Sequence, residues 1–297
     1  MIAISRREFG AFTAAAALAG SARAQNDATP IRRAIPSTGE SLPAVGLGTA
    51  RVFNRDNDAT GRAGSEVVQA LVEAGGRLID TASTYGDAET VLGKVITSAN
   101  LREKVFIATK LESPAQSELD RSLRRLKTAK LDLLQLHNVS NPRQSLAQFR
   151  AWKSQGVCRY VGITSTFHAD YAALQSVLER EKPDFVQIGY SIEDREPEKR
   201  ILPLAAEVKA AVLTAEPLGR GGLFRAVRGK AIPDWATTFA TNWAQFLLKY
   251  LLADERVTAV IPATSNPAHM AENAGAMRGP LPDPDQRKRM VAFVQNL

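Results

Sequence analysis

Eight short apolar runs punctuate the chain: AVGLGT from Ala44, RLID from Arg77, VFIATK from Val105, LDLLQLH from Leu131, CRYVGIT from Cys158, DFVQIGY from Asp184, AAVLTA from Ala210 and VTAVIPA from Val257. Between them, stretches such as SEVVQALVEAG and SELDRSLRRLKT place apolar residues three and four apart with charges on the other face, which predicts surface helices. Runs that are apolar almost throughout are buried on both faces, as in a parallel sheet covered by helices. Eight strand–helix units in one chain of this size predict an α/β fold, a (β/α)8 TIM barrel. IPSTGESLP, ahead of the first run, predicts an N-terminal β-hairpin capping the barrel bottom. The rival doubly wound sheet lacks its signature, because AVGLGT is not followed by a GxGxxG turn opening a helix. GRGGLFRAVRGKAIPDWATT reads as a long Gly-rich loop after the seventh strand, and PLPDPDQRKRMVAFVQNL as one helix after a proline-broken turn.

The N-terminal end breaks this pattern. SRREFG (Ser5 to Gly10) pairs Arg6 and Arg7, AFTAAAALAG follows as an apolar run about half the length a membrane span needs, and Ala22, Arg23 and Ala24 make a small-x-small cleavage pattern. These parts predict a twin-arginine signal peptide over residues 1–24, a barrel over residues 25–297, the twin-arginine export machinery as a partner, and a periplasmic or extracellular location. Cleavage takes the formal charge from +7 to +5. That surplus, with no basic block, argues against a nucleic-acid partner. With the leader removed, no apolar run reaches the roughly 18 residues of a spanning helix, so no stable membrane association is expected. The single cysteine, Cys158, permits no intramolecular disulfide, and its apolar surroundings predict a buried, inert thiol.

Chemistry in such a barrel belongs at the carboxyl ends of the strands. There the second run ends in Asp80 with Tyr85 on the following loop, the third in Lys110 and the fourth in His137. Lys110, if close to Tyr85, favours the phenolate and lowers the hydroxyl's pKa from near 10, while Asp80 keeps Lys110 charged and oriented. His137, as a donor, holds a carbonyl oxygen against the Tyr85 hydroxyl, which protonates it as hydride arrives at carbon. Each residue alone also fits a plainer role, as helix cap, solvated strand end or surface aromatic. Four at successive strand ends argue for catalysis. His168 and His269 fall at predicted helix starts without HxxH or CxxC spacing, so no metal site is expected.

With these residues in place, the chain resembles an aldo-keto reductase. LPAVGLGTA, LIDTASTYGDAETVLGKVI, ATK, LDLLQLHN, GVCRYVGITS, QIGYS, PLGRGGLF and VIPATSNPAHMAEN follow that family's landmarks in order, over roughly residues 33 to 275. The resemblance implies an NAD(P)H-dependent reductase of small-molecule carbonyl substrates with the tetrad Asp80, Tyr85, Lys110 and His137. It also implies an extended nicotinamide cofactor across the barrel top: Gly48, Thr49 and Asp80 beside it, Thr164, Ser165 and Gln187 at the carboxamide, and Leu218, Gly219 and Arg220 over the pyrophosphate. Thr264, Ser265, His269, Glu272 and Asn273 fall around the adenosine and its 2′-phosphate.

The chain departs from that pattern at Ala215, where many relatives stack a tyrosine under the nicotinamide, and at Ala263 and His269, where many carry lysine and arginine. The cofactor expected is NADP(H), with NAD(H) left open. Two other uses of the rim stay open as well: a barrel that holds nucleotide as a sensor or scaffold, and a sugar or ketone isomerase. The short C-terminal tail leaves the mouth open, and the substrate is not named by the residues.

Overall fold

The computed structural model describes residues 29–138 and 142–297. The expected signal peptide lies outside the described residues. Among the described residues, no helix is long and apolar enough to cross a membrane.

Strands β1 (Arg32–Ala34) and β2 (Ser41–Pro43) pair antiparallel as the expected hairpin. The other eight are β3 (Leu47–Gly48), β4 (Leu78–Asp80), β5 (Phe106–Leu111), β6 (Leu131–His137), β7 (Cys158–Ser165), β8 (Phe185–Gly189), β9 (Ala211–Ala215) and β10 (Ala259–Val260). They pair in parallel in chain order, and bridges from Val45 to Val260 and Gly48 to Ala263 close the sheet on itself. Each predicted run holds one strand. The first and last are only two residues long; β10 stops before Pro262, which has no N–H for a ladder. Closure there rests on Gly46 and Gly48, whose N–H groups donate to the carbonyls of Val260 and Pro262.

Alternation along the strands divides the barrel interior into layers. Phe106, Tyr160 and Phe185 point inward at the bottom, with ring centroids 5.4–6.2 Å apart. Ala108, Leu133 and Leu213 continue the apolar plug, and Ile35 and Leu42 of the hairpin seal it from below. Two to four residues further up the strands the inward positions turn polar, at Lys110, Gln135, His137, Thr164 and Gln187. The Tyr160 hydroxyl donates to Glu40 at 2.7 Å, tying the bottom layer to the hairpin.

A second apolar layer lies between sheet and helices. The helix Asp58–Glu73 is capped by Asn57, whose side chain accepts from Thr60 N–H, and Pro284–Gln295 starts with a capping box between Asp283 and Gln286. Cys158 is buried and desolvation pushes its thiol up to about 12, so it stays protonated and inert as expected. The segment after β9 is less irregular than its glycines suggested. It holds a short helix, Gly222–Ala226, and a single turn at Asp234–Ala236.

The helices Ala88–Ser98 and Gln116–Leu126 touch through Gly93, where an added Cβ would sit 2.1 Å from the Arg125 carbonyl. Gly93→Ala must push two helices apart, and overpacking of this kind costs about 1–3 kcal/mol. Urea unfolding of that variant should show a lower midpoint at an unchanged slope; an unshifted midpoint would mean the helices part freely.

Candidate active site

The polar layer opens upward, and its centre is the buried pair Lys110 and Asp80. Lys110 Nζ lies 2.7 Å from both Asp80 carboxylate oxygens and 2.7 Å from the Thr81 carbonyl. Burial alone would drive the ammonium to its neutral form, but the Asp80 charge and the contact with Tyr85 outweigh it and hold its pKa above the ordinary value. Asp80 thus keeps Lys110 charged and aimed, as expected.

Tyr85 sits on the loop after β4, where Gly86 takes a φ of +60° and a Cβ would stand 2.7 Å from the Asn54 carbonyl. Only glycine fits a turn that tight, and the turn swings Tyr85 back over the rim. Lys110 Nζ is 5.1 Å from the Tyr85 ring centroid. The expected lowering of its hydroxyl pKa is not what the site produces. The Lys110 charge is the largest single influence and does pull downward, but burial, Asp80 and Glu216 together push the hydroxyl above 10. The reason is that burial, with two carboxylates near the ring, outweighs the one nearby ammonium.

His137 ends β6 and meets Tyr85 edge to face, with ring centroids 5.8 Å apart. Burial and the Lys110 charge lower its pKa to about 4, so its ring is neutral at neutral pH. Its Nδ1 is 2.6 Å from Glu112 Oε1 and 3.3 Å from the Thr84 hydroxyl. Glu112 is a residue that the sequence reading passed over. Its signal was present, since it stands two positions after Lys110 and so on the same side of the chain. Glu118 was also missed; it accepts from Ser83 and Ser113 side chains and from the Glu112 N–H, pinning the loop after β5 beside the loop after β4.

A cavity of about 730 Å³ runs from this cluster across the barrel mouth. Asp80, Tyr85 and His137 line one end, with Gly48, Thr164 and Gln187 beside them. The Gln187 amide is fixed: it accepts from Gln135 at 2.7 Å and donates to Asp80 at 3.3 Å. Ala215, Ile261 and Pro262 form an apolar floor, and Leu218, Arg220 and Phe224 rise over it. Arg220 is bound to Glu216 at 2.8 Å, and both hold left-handed backbone angles unusual for non-glycine residues. At the far end lie Thr264, His269, Glu272 and Asn273, around the helix Pro267–Gly275 that Asn266 caps.

Five sequence-predicted positions stand off the cavity wall. Lys110 is behind Asp80 and Tyr85. Thr49 donates its hydroxyl to the Asp80 carbonyl, and Ser165 turns its hydroxyl to Asp170 at 2.7 Å. Gly219 and Ser265 sit on the loops that carry their lining neighbours. Arg51 and Asn138 line the mouth and had no signal beyond their places after β3 and β6.

Residues 44–292 match the Aldo/keto reductase family. Methylglyoxal reductase YeaE of Escherichia coli is 32% identical over 251 residues, 80% of this chain and 86% of that protein. An aldo-keto reductase of Mycolicibacterium smegmatis is 30% identical over 248 residues, covering 79% and 84%. Among solved structures, an aldo-keto reductase from Klebsiella pneumoniae in complex with NADPH superposes with a TM-score of 0.77 at 23% identity, over 89% of this chain and 95% of that one.

Proposed function

Since the chain belongs to the aldo/keto reductase family of oxidoreductases, we propose that it reduces a small-molecule aldehyde or ketone with NADPH, using Tyr85 as the proton donor. The observation that carries this reading is the Asp80, Lys110, Tyr85 and His137 cluster opening on one long cavity.

The residues present fit a nicotinamide dinucleotide. Gln187 offers a fixed amide and Thr164 a hydroxyl where a carboxamide would be held, with Ala215, Ile261 and Pro262 as a flat apolar bed for the ring. Leu218 and Arg220 flank the span where a pyrophosphate would run, and the N-terminus of the helix Pro267–Gly275 suits a 2′-phosphate. When bound, the reduced cofactor supplies hydride. Tyr85 supplies the proton to the carbonyl oxygen, Lys110 and Asp80 fix that hydroxyl, and His137 borders the reacting oxygen.

Stopped-flow absorbance at the nicotinamide band tests the reading: bound NADPH should be oxidised when an aldehyde is added. Bound but inert NADPH would favour a nucleotide sensor, and no binding would leave an isomerase. Dissociation constants for NADPH and NADH should favour NADPH, but by less than the two charge-assisted contacts of a lysine–arginine pair, worth roughly 1.5–3 kcal/mol each, would provide. Ala263 and His269 stand in those places, and Arg220 is shared with Glu216.

We further propose that residues 1–24 direct export of the folded enzyme by the twin-arginine route, on the strength of Arg6, Arg7 and the Ala22-Arg23-Ala24 pattern. Arg6→Lys with Arg7→Lys should leave uncleaved, active precursor in the cytoplasm; undiminished secretion would point to the general export pathway.

A further inference from the structure

Gln135 is fully buried on β6, stands off the cavity wall and has no part in the chemistry described above. Its amide is one end of a hydrogen-bonded chain: Gln135 donates to Gln187 at 2.7 Å, Gln187 donates to Asp80 at 3.3 Å, and Lys110 holds Asp80 at 2.7 Å. Asp80 sets the direction of that chain. A carboxylate with an ammonium against it only accepts, so Gln187 has to turn its NH2 group toward Asp80. The Gln187 oxygen then faces Gln135, which has to present its own NH2 group. The last atom of the chain is left over: Gln135 Oε1 is buried and has no hydrogen-bond partner among the described residues. An apolar side chain of the same size would remove that orphan and leave an unpaired oxygen only on Gln187, which borders the cavity. The fold therefore gains little or nothing from an amide at position 135.

We propose that Gln135 is a positioning residue for the cofactor, holding the Gln187 amide in the one orientation that suits a nicotinamide carboxamide. This rests on the reductase reading. Asp80 takes one of the two N–H groups of Gln187 and Gln135 takes one of its two oxygen lone pairs, so one donor and one acceptor remain. A carboxamide is itself a donor and an acceptor, and that remainder matches it. Without Gln135 the amide is tied only by the longer contact to Asp80, and fixing it becomes part of the binding step.

The test compares two ligands on full-length Gln135→Met, whose side chain keeps the length and loses the amide. One is NADPH; the other is 2′-phospho-ADP-ribose, which keeps both phosphate groups of the cofactor and lacks the nicotinamide. By isothermal titration the NADPH dissociation constant should rise about tenfold, while that of 2′-phospho-ADP-ribose stays within about twofold. The urea midpoint should not move. Gln135→Leu carries the same comparison where the methionine variant does not fold. Unchanged NADPH affinity overturns the proposal, and so does an equal loss for both ligands with a lowered midpoint, which would make Gln135 a part of the framework alone. Failure of both variants to fold has the same meaning, as does a wild type that binds NADPH no more tightly than 2′-phospho-ADP-ribose. If the split between the ligands appears but bound NADPH is inert toward aldehydes, Gln135 keeps its role and the reductase reading falls instead.

Discussion

Tyr85→Phe is expected to lower kcat for carbonyl reduction by roughly 10²–10⁴-fold while leaving the NADPH dissociation constant within about twofold, since only a positioned proton is lost. Phenylalanine keeps the ring that packs against His137, so the cavity retains its shape. A variant keeping more than a tenth of the rate would mean that another group, or water, protonates the oxygen. The wild-type pH profile carries a linked expectation. Because the Tyr85 hydroxyl is held above 10, the acid form persists through neutral and mildly alkaline pH, and the reductive rate should fall only above pH 10. On the acid side the profile should break near 4, where His137 gains its second proton as pH drops through its lowered pKa. A break between pH 6 and pH 9 in the chemical step would contradict both assignments.

The second large effect is on stability. The side chains of Lys110 and Asp80 are 1% and 4% exposed, and their two charges neutralise each other at 2.7 Å. Lys110→Met keeps the length and apolar stem of the side chain but strands a carboxylate in the barrel. Breaking a buried pair from one side costs about 3–5 kcal/mol, because the surviving charge has no water to turn to. Adding Asp80→Asn to Lys110→Met should recover most of that loss without restoring turnover. Urea unfolding of the two single variants and the double variant measures it. If Lys110→Met alone costs under about 1 kcal/mol, water reaches Asp80 and the pair is less enclosed than the geometry indicates.

Much of this is legible in the sequence, for reasons that differ from residue to residue. Strands buried on both faces leave long apolar runs, so all eight were visible, and the residues that end such runs fall on one rim by the topology of the barrel. Asp80, Lys110 and His137 were found in that way. Tyr85 needed its neighbour Gly86, whose left-handed turn aims the ring. Glu112 escaped because β5 ends at Leu111 and the alternation carries on past the apolar run that drew attention to it. The direction of the Tyr85 shift escaped for another reason: it is decided by burial of the hydroxyl and by the charges of Asp80 and Glu216, which the order of residues along the chain does not display. The family resemblance puts Ser165 beside the carboxamide, but Asp170, only five positions on, takes its hydroxyl. The helix Gly222–Ala226 was hidden among glycines that weaken any helical pattern.

The seam between β3 and β10 has a bearing on how the protein is made. The barrel is joined there by two-residue strands and a few backbone bonds between Gly46, Gly48 and the Val260–Pro262 segment. Those two edges are synthesised more than two hundred residues apart, which at about 5–20 residues per second is a gap of roughly 10–40 s. Throughout that interval the first edge lacks the strand that pairs with it in the finished fold, so closure of the barrel awaits synthesis of the last strand.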